Sequence, residues 1–190
     1  MDTKFIEGKK FINSDFVSGN LPEAEYENCI FTNCNFSEFN ISKINFTDCE
    51  FNGCDLSNCK VNNAAFRNVK FIDCKLLGIH FENCNEILFV VYFEKCNLKF
   101  SSFYKLKLKK TQFLNCNLQE VDFSETDLTD AVFENCDLTL AAFESTVLEK
   151  ADFRSSFNYS IDPESNRIKK AKFSRDGLAG LLDKYDIEID

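Results

Sequence analysis

The chain has 190 residues, 44 % of them apolar, and a net charge of −9, a length that fits one domain. The acidic surplus argues against a protein that docks on nucleic-acid phosphates or adsorbs to anionic membranes. Phe occurs 22 times, Trp never and Met once. Such reliance on one large side chain means that the same kind of hole is being filled again and again, the mark of an internal repeat.

From the N-terminus, Met1-Asp2-Thr3-Lys4 is polar and no apolar stretch follows, so no secretion signal is expected and the cytoplasm is the expected location. From Ile6 onward every fifth residue is large and apolar: Ile6, Phe11, Phe16, Leu21, Tyr26, Phe31, Phe36, Ile41 and so on to Phe81. The next step would fall on Glu86, and the register fails. It is expected to resume two residues later at Leu88, then Phe93, Leu98, Phe103, Leu108 and onward, with Leu and Phe alternating to Phe153. A period of five is neither helical nor that of a plain strand, so the chain must turn regularly and return each fifth residue to one inner wall. A second ladder lies two residues before each central one and is mostly small: Ala24, Cys29, Cys34, Cys49, Cys54 and their successors. The other three places of each five are rich in Asn, Asp, Glu, Lys, Ser and Thr and are expected to face water.

Units such as Cys34-Asn35-Phe36-Ser37-Glu38, Cys54-Asp55-Leu56-Ser57-Asn58, Cys116-Asn117-Leu118-Gln119-Glu120 and Ala151-Asp152-Phe153-Arg154-Ser155 resemble the motif of the pentapeptide-repeat family, over residues ~6 to ~157. The resemblance implies an all-β solenoid, a right-handed quadrilateral β-helix with four repeats per coil. The repeats then make seven to eight coils stacked about 4.8 Å apart.

All ten cysteines occupy the small inward place, so free, buried thiols are expected rather than disulfides or metal ligands. His80, the one histidine, stands at an outward place. With no Cys/His set, no Ser/His/Asp set and no Gly-rich phosphate loop, neither a catalytic residue nor a cofactor or metal is expected, and the chain reads as a non-enzymatic binding protein. The slip at Glu86–Ile87 reads as a bulge at a corner. It leaves Phe89, Val90 and Tyr92 at nominally outward places, an apolar contact patch.

Residues 85–110 carry six Lys against two Glu, and residues 111–165 carry twelve acids against Lys150 and Arg154. Glu120, Asp122, Glu125, Asp127, Asp130, Glu134, Asp137 and Asp152 are read as an acidic face for a protein partner. After Phe153 the repeat dissolves, so a repeat domain, 1–157, is expected to be followed by a C-terminal unit, 158–190, with a turn at 161–166 and a stray unit at Ala171-Lys172-Phe173. Ser174 as N-cap, followed by Leu178, Leu181, Leu182 and Tyr185 at helical spacing, predicts a short α-helix over ~175–185 that caps the solenoid, either alone or also as the contact of a homodimer. This layout is similar to that of the DNA gyrase-protecting, quinolone-resistance type of pentapeptide-repeat protein. That resemblance implies gyrase or topoisomerase IV as partner, engaged through DNA mimicry. A scaffold for an unrelated partner is the alternative.

Overall fold

The computed structural model describes residues 4–19 and 21–188. The period of five is realised as a four-sided β-helix, each repeat forming one side of a coil. On the first side, β1 (Lys4–Glu7), β3 (Ala24–Glu27), β5 (Asn45–Thr47) and β7 (Ala65–Arg67) stack in parallel. On the second side stack β2 (Lys10–Ile12), β4 (Ile30–Thr32), β6 (Glu50–Asn52), β8 (Val69–Ile72), β9 (Val91–Glu94), β10 (Gln112–Leu114) and β11 (Val132–Glu134). The third and fourth sides are too short for strands and are joined by single bridges, such as Asn97 to Asn117 to Asp137 and His80 to Ser102 to Asp122 to Ala142. The step between coils is 20 residues: Phe11 lies over Phe31, and Phe31 over Phe51.

The core is a stack of rings. Phe113 lies flat against Phe93 and Phe133, at 5.3 and 4.9 Å between centroids. It meets Phe103 and Phe123 of the adjoining side edge-on, at 5.9 and 5.7 Å. Stacked and edge-to-face contacts both suit the ring quadrupole, so one side-chain type satisfies both directions of packing.

The small ladder lies beside it, and all ten cysteines are free and buried. A donor there finds a fixed acceptor: Cys34, Cys54, Cys74 and Cys136 donate S–H to the carbonyls of Phe11, Phe31, Phe51 and Phe113. Thr126 and Thr146 do the same with hydroxyls at 2.8 and 2.9 Å. Corners fall two residues after most central residues and take the left-handed conformation, at Asn33 (φ 51°), Asp48 (52°), Gly53 (64°) and Asn135 (52°) among others. Asn, Asp and Gly tolerate that region best, which explains their frequency there.

Two expectations are corrected. The first concerns the slip. The coil between Val69 and Val91 holds 22 residues, and the chain re-enters the core one residue later than expected. Leu88 is 68 % exposed, whereas Phe89 is buried, its ring 6.3 Å from Phe66 and 6.1 Å from Phe81. The aromatic ring fills the column that Leu88 would have left with an aliphatic side chain.

The second concerns the C-terminal cap, which is not α-helical. Asp176–Leu181 and Asp183–Tyr185 are 3₁₀ segments, with Leu178 bonded back to Arg175 and Leu182 to Ala179. Gly177 and Gly180 weaken an α-helix and are needed here, because a Cβ at either would strike Tyr159. The Gly180 carbonyl instead accepts the N–H of Ile161 at 2.8 Å. Ser174 does cap the segment, accepting the Gly177 N–H at 3.1 Å. No helix among the described residues is long and apolar enough to cross a membrane.

Phe113→Ala removes a fully buried ring and is expected to destabilise the fold by about 3–5 kcal/mol. Phe100→Ala, at a half-exposed corner, is expected to leave the thermal unfolding midpoint nearly unchanged. Parallel melting curves of the two variants check this.

Candidate functional site

The register places the eight acidic candidates on all four sides rather than on one face. Asp137 is on the third side, with Glu120 at its far corner. Asp122 is on the fourth, with Glu125 at its corner. Asp127 and Asp130 belong to the first, and Glu134 and Asp152 to the second. Together they form a collar around the upper coils.

The collar is only partly free. The carboxylates of Asp122, Asp127, Asp137 and Asp152 each accept the backbone N–H two residues on, from Ser124, Thr129, Thr139 and Arg154. Asn35 and Asp55 do the same in the lower coils. The acidic or amide residue before the central position is therefore first a cap of the following corner and only then a solvated surface group. Two more acids, and Asp127 again, are met by lysines of the basic band one coil below: Lys99 to Glu120 at 3.5 Å, Lys105 to Glu125 at 3.5 Å and Lys109 to Asp127 at 3.2 Å.

Two carboxyls are held well below the ordinary range. Asp152 is lowered to about 2 by hydrogen bonds from Arg154, against the opposing effect of burial, with Lys172 adding to the shift. Asp137 is also lowered to about 2: burial raises it, but hydrogen bonds from Thr139, Gln119 and Asn158 outweigh that. The thiols shift the other way, Cys49 and Cys59 being pushed up to about 12 chiefly by burial. Cys136 departs from them, held low first by its hydrogen bond with Cys116.

Of the predicted contact patch, Val90 is exposed, Phe89 is buried in the core, and Tyr92 is half-buried with its hydroxyl on Glu94 at 2.9 Å. The exposed apolar residues at the slip are instead Ile87, Leu88 and Val90. His80 is exposed, 2.9 Å from Glu82. At the C-terminal end, Leu178, Leu182 and Tyr185 are exposed, whereas Leu181 packs partly against the core. The cap is pinned by Lys184, which reaches Asp162 and Glu164 at 2.7 Å each, and by the Tyr185 hydroxyl on Glu164. Beneath it lies a cleft of about 570 Å³ lined in part by Arg154, Asn158 and Tyr159, the Tyr159 hydroxyl buried without a hydrogen-bond partner among the described residues. Among the described residues no group of three or more His, Cys, Asp or Glu is arranged to hold a metal ion.

The family model described as pentapeptide repeat region matches residues 24–86, 44–111 and 86–160. The chain belongs to the pentapeptide-repeat family. Two solved structures show the same right-handed pentapeptide-repeat β-helix. One is a trypsin-treated form of QnrB1, a plasmid-mediated fluoroquinolone resistance protein, 20 % identical, with 98 % of this chain and 92 % of that one covered and a TM-score of 0.51. The other is HetL, a pentapeptide repeat protein involved in heterocyst differentiation regulation from the cyanobacterium Nostoc, 14 % identical, with 90 % and 86 % covered and a TM-score of 0.53. At these identities the likeness is one of fold. No curated protein sequence matches this pentapeptide-repeat chain.

Because the Asp137 and Asp152 carboxyls lie below their ordinary 3.8 in the folded chain, their contribution to stability is complete above about pH 4 and is lost as pH falls toward 2. The melting temperature is expected to drop across that window, and less steeply in Asp152→Asn, in a pH series of thermal melts. A thiol titration with Ellman's reagent at pH 8 is expected to find the native protein almost unreactive and all ten thiols reactive in guanidinium chloride.

Proposed function

We propose that this pentapeptide-repeat protein is a non-enzymatic, cytoplasmic binding rod that engages a protein partner and contacts neither nucleic acid nor membrane directly. The observation that carries the reading is the charge over residues 111–165, twelve acids against Lys150 and Arg154, wound around the upper coils of a rigid solenoid. A collar of carboxylates repeated at each coil presents a column of negative charge that suits a basic groove built for a duplex.

The specific partner proposed is a type II topoisomerase, gyrase or topoisomerase IV, with the rod standing in for DNA. The fold shared with QnrB1 supports this assignment. Asp130 and Glu134 are the collar acids whose carboxylates have neither a hydrogen-bond nor an ion-pair partner among the described residues, so they are the ones most available to such a groove. Leu178, Leu182 and Tyr185, exposed on the cap, are the proposed contact of a C-terminal homodimer.

A scaffold role for an unrelated partner is the second reading. It is favoured by the engagement of Asp122, Asp127, Asp137 and Asp152 in corner caps, which gives the acids a structural reason to be there.

A gyrase supercoiling and topoisomerase IV decatenation assay, run with and without a quinolone, separates the two. The topoisomerase reading expects altered activity or reduced drug-stabilised cleavage at micromolar protein. It also expects a clear loss of that effect in Asp130→Lys/Glu134→Lys. Unchanged activity and cleavage leave the scaffold reading. Light scattering tests the dimer: wild type is expected at twice the chain mass and Leu178→Asp/Leu182→Asp at the single mass.

A further inference from the structure

The register slip interrupts more than the repeat. It pushes Ile87 and Leu88, each 68 % exposed, and Val90, 54 % exposed, out from the corner between the first and second sides. Leu88 is held there with φ of 59°, a conformation disfavoured for a branched apolar side chain. Single exposed apolar residues, such as Ile12, Phe100 and Leu140 elsewhere on the rod, need no explanation, but three together do.

The surroundings of this boss are cationic. On the rung below, Arg67 ends β7 on the first side and Lys70 lies on the second, directly under Tyr92. On the rung above, Lys107 and Lys110 flank the first side, and Lys110 helps to line a groove of about 220 Å³ with Lys70, Val90 and Tyr92. Among the described residues, Arg67, Lys70, Lys107 and Lys110 form no ion pair, although the neighbouring Lys99, Lys105 and Lys109 are all paired with collar acids. Of the carboxylates nearest the belt, Glu94 is engaged by the Tyr92 hydroxyl and Asp127 by Lys109 and Thr129. Glu86 in the bulge, Glu50 on the rung under Lys70 and Asp130 on the rung over Lys110 form no ion pair among the described residues. A chain of net charge −9 thus keeps four unpaired cations around its most exposed apolar cluster.

We propose that this belt docks an acidic protein segment carrying one or two apolar side chains. The apolar residues would seat against Ile87, Leu88 and Val90 while its carboxylates meet the unpaired cations. Phosphate backbones would leave the boss without a partner. A flat anionic membrane would have to meet the acidic collar on the very next coils, within about one Debye length, whereas a narrow segment covers the belt alone. The site stands apart from the collar and has the opposite charge preference, so it does not depend on the topoisomerase reading.

A phage-displayed library of random twelve-residue peptides, selected on the full-length protein, provides the test. Selected peptides are expected to place Asp or Glu on either side of Ile, Leu or Phe. They should bind at least tenfold more weakly to Lys70→Glu/Lys107→Glu/Lys110→Glu and to Leu88→Asn, and more weakly as salt rises. Thermal melts that match wild type establish that both variants are folded. Parallel arms use phosphatidylserine vesicles and duplex DNA. The proposal is overturned if selection yields no peptide, if selected peptides lack acids, if they bind the variants as well as wild type, or if vesicles or DNA bind in their place and lose binding in the same variants.

Discussion

Every other feature of this protein follows from the return of a large apolar side chain to the axis once every five residues. After twenty residues the chain is above its starting point, so each ring stacks on its counterpart in the next coil. Phe113 between Phe93 and Phe133 shows the arrangement, with flat contacts along the axis and edge contacts across it. Because coils contact only their neighbours, stability accumulates step by step along the rod. The small ladder exists because the large one needs room, and its cysteines are free and buried for the same reason.

The core leaves three places per repeat to the surface, and these are less free than they look. The place before the central residue caps the corner that follows, which favours Asp and Asn whatever the protein binds. The corner itself favours residues that accept a left-handed backbone. Much of the negative charge therefore has a local structural cause, and the charge that remains available is smaller and more widely spread than composition implies. What distinguishes this rod from a uniform one is the vertical order of its charge, a cationic belt at the slip and an anionic collar above it, partly cancelling where they meet through Lys99, Lys105 and Lys109.

Legibility in the sequence tracks how local each determinant is. The period of five depends on nothing beyond five residues, and it delivered the solenoid, the inward thiols and the outward His80. The slip was visible, but the choice of Phe89 over Leu88 was not, because it depends on which side chain reaches Phe66 and Phe81 across the core. The terminal segment has helical spacing, yet its glycines are used for close approach to Tyr159, and it settles into 3₁₀ turns. The expected acidic face is spread around all four sides, and the five-residue period already carries that placement. Glu120, Glu125, Asp130 and Glu134 stand in consecutive repeats, and consecutive repeats form consecutive sides.

The most direct test of the account is the thermal midpoint of a chain lacking Glu86 and Ile87. Their deletion restores the twenty-residue step, brings Leu88 to the central place and sends Phe89 outward. The account predicts a cooperative melt close to or above that of wild type. An equal deletion at Glu120 and Val121, inside the regular ladder, should lower the midpoint by about 10 °C or more. If the two deletions were equally damaging, the claim that a twenty-residue return of the core ladder organises this protein would be contradicted.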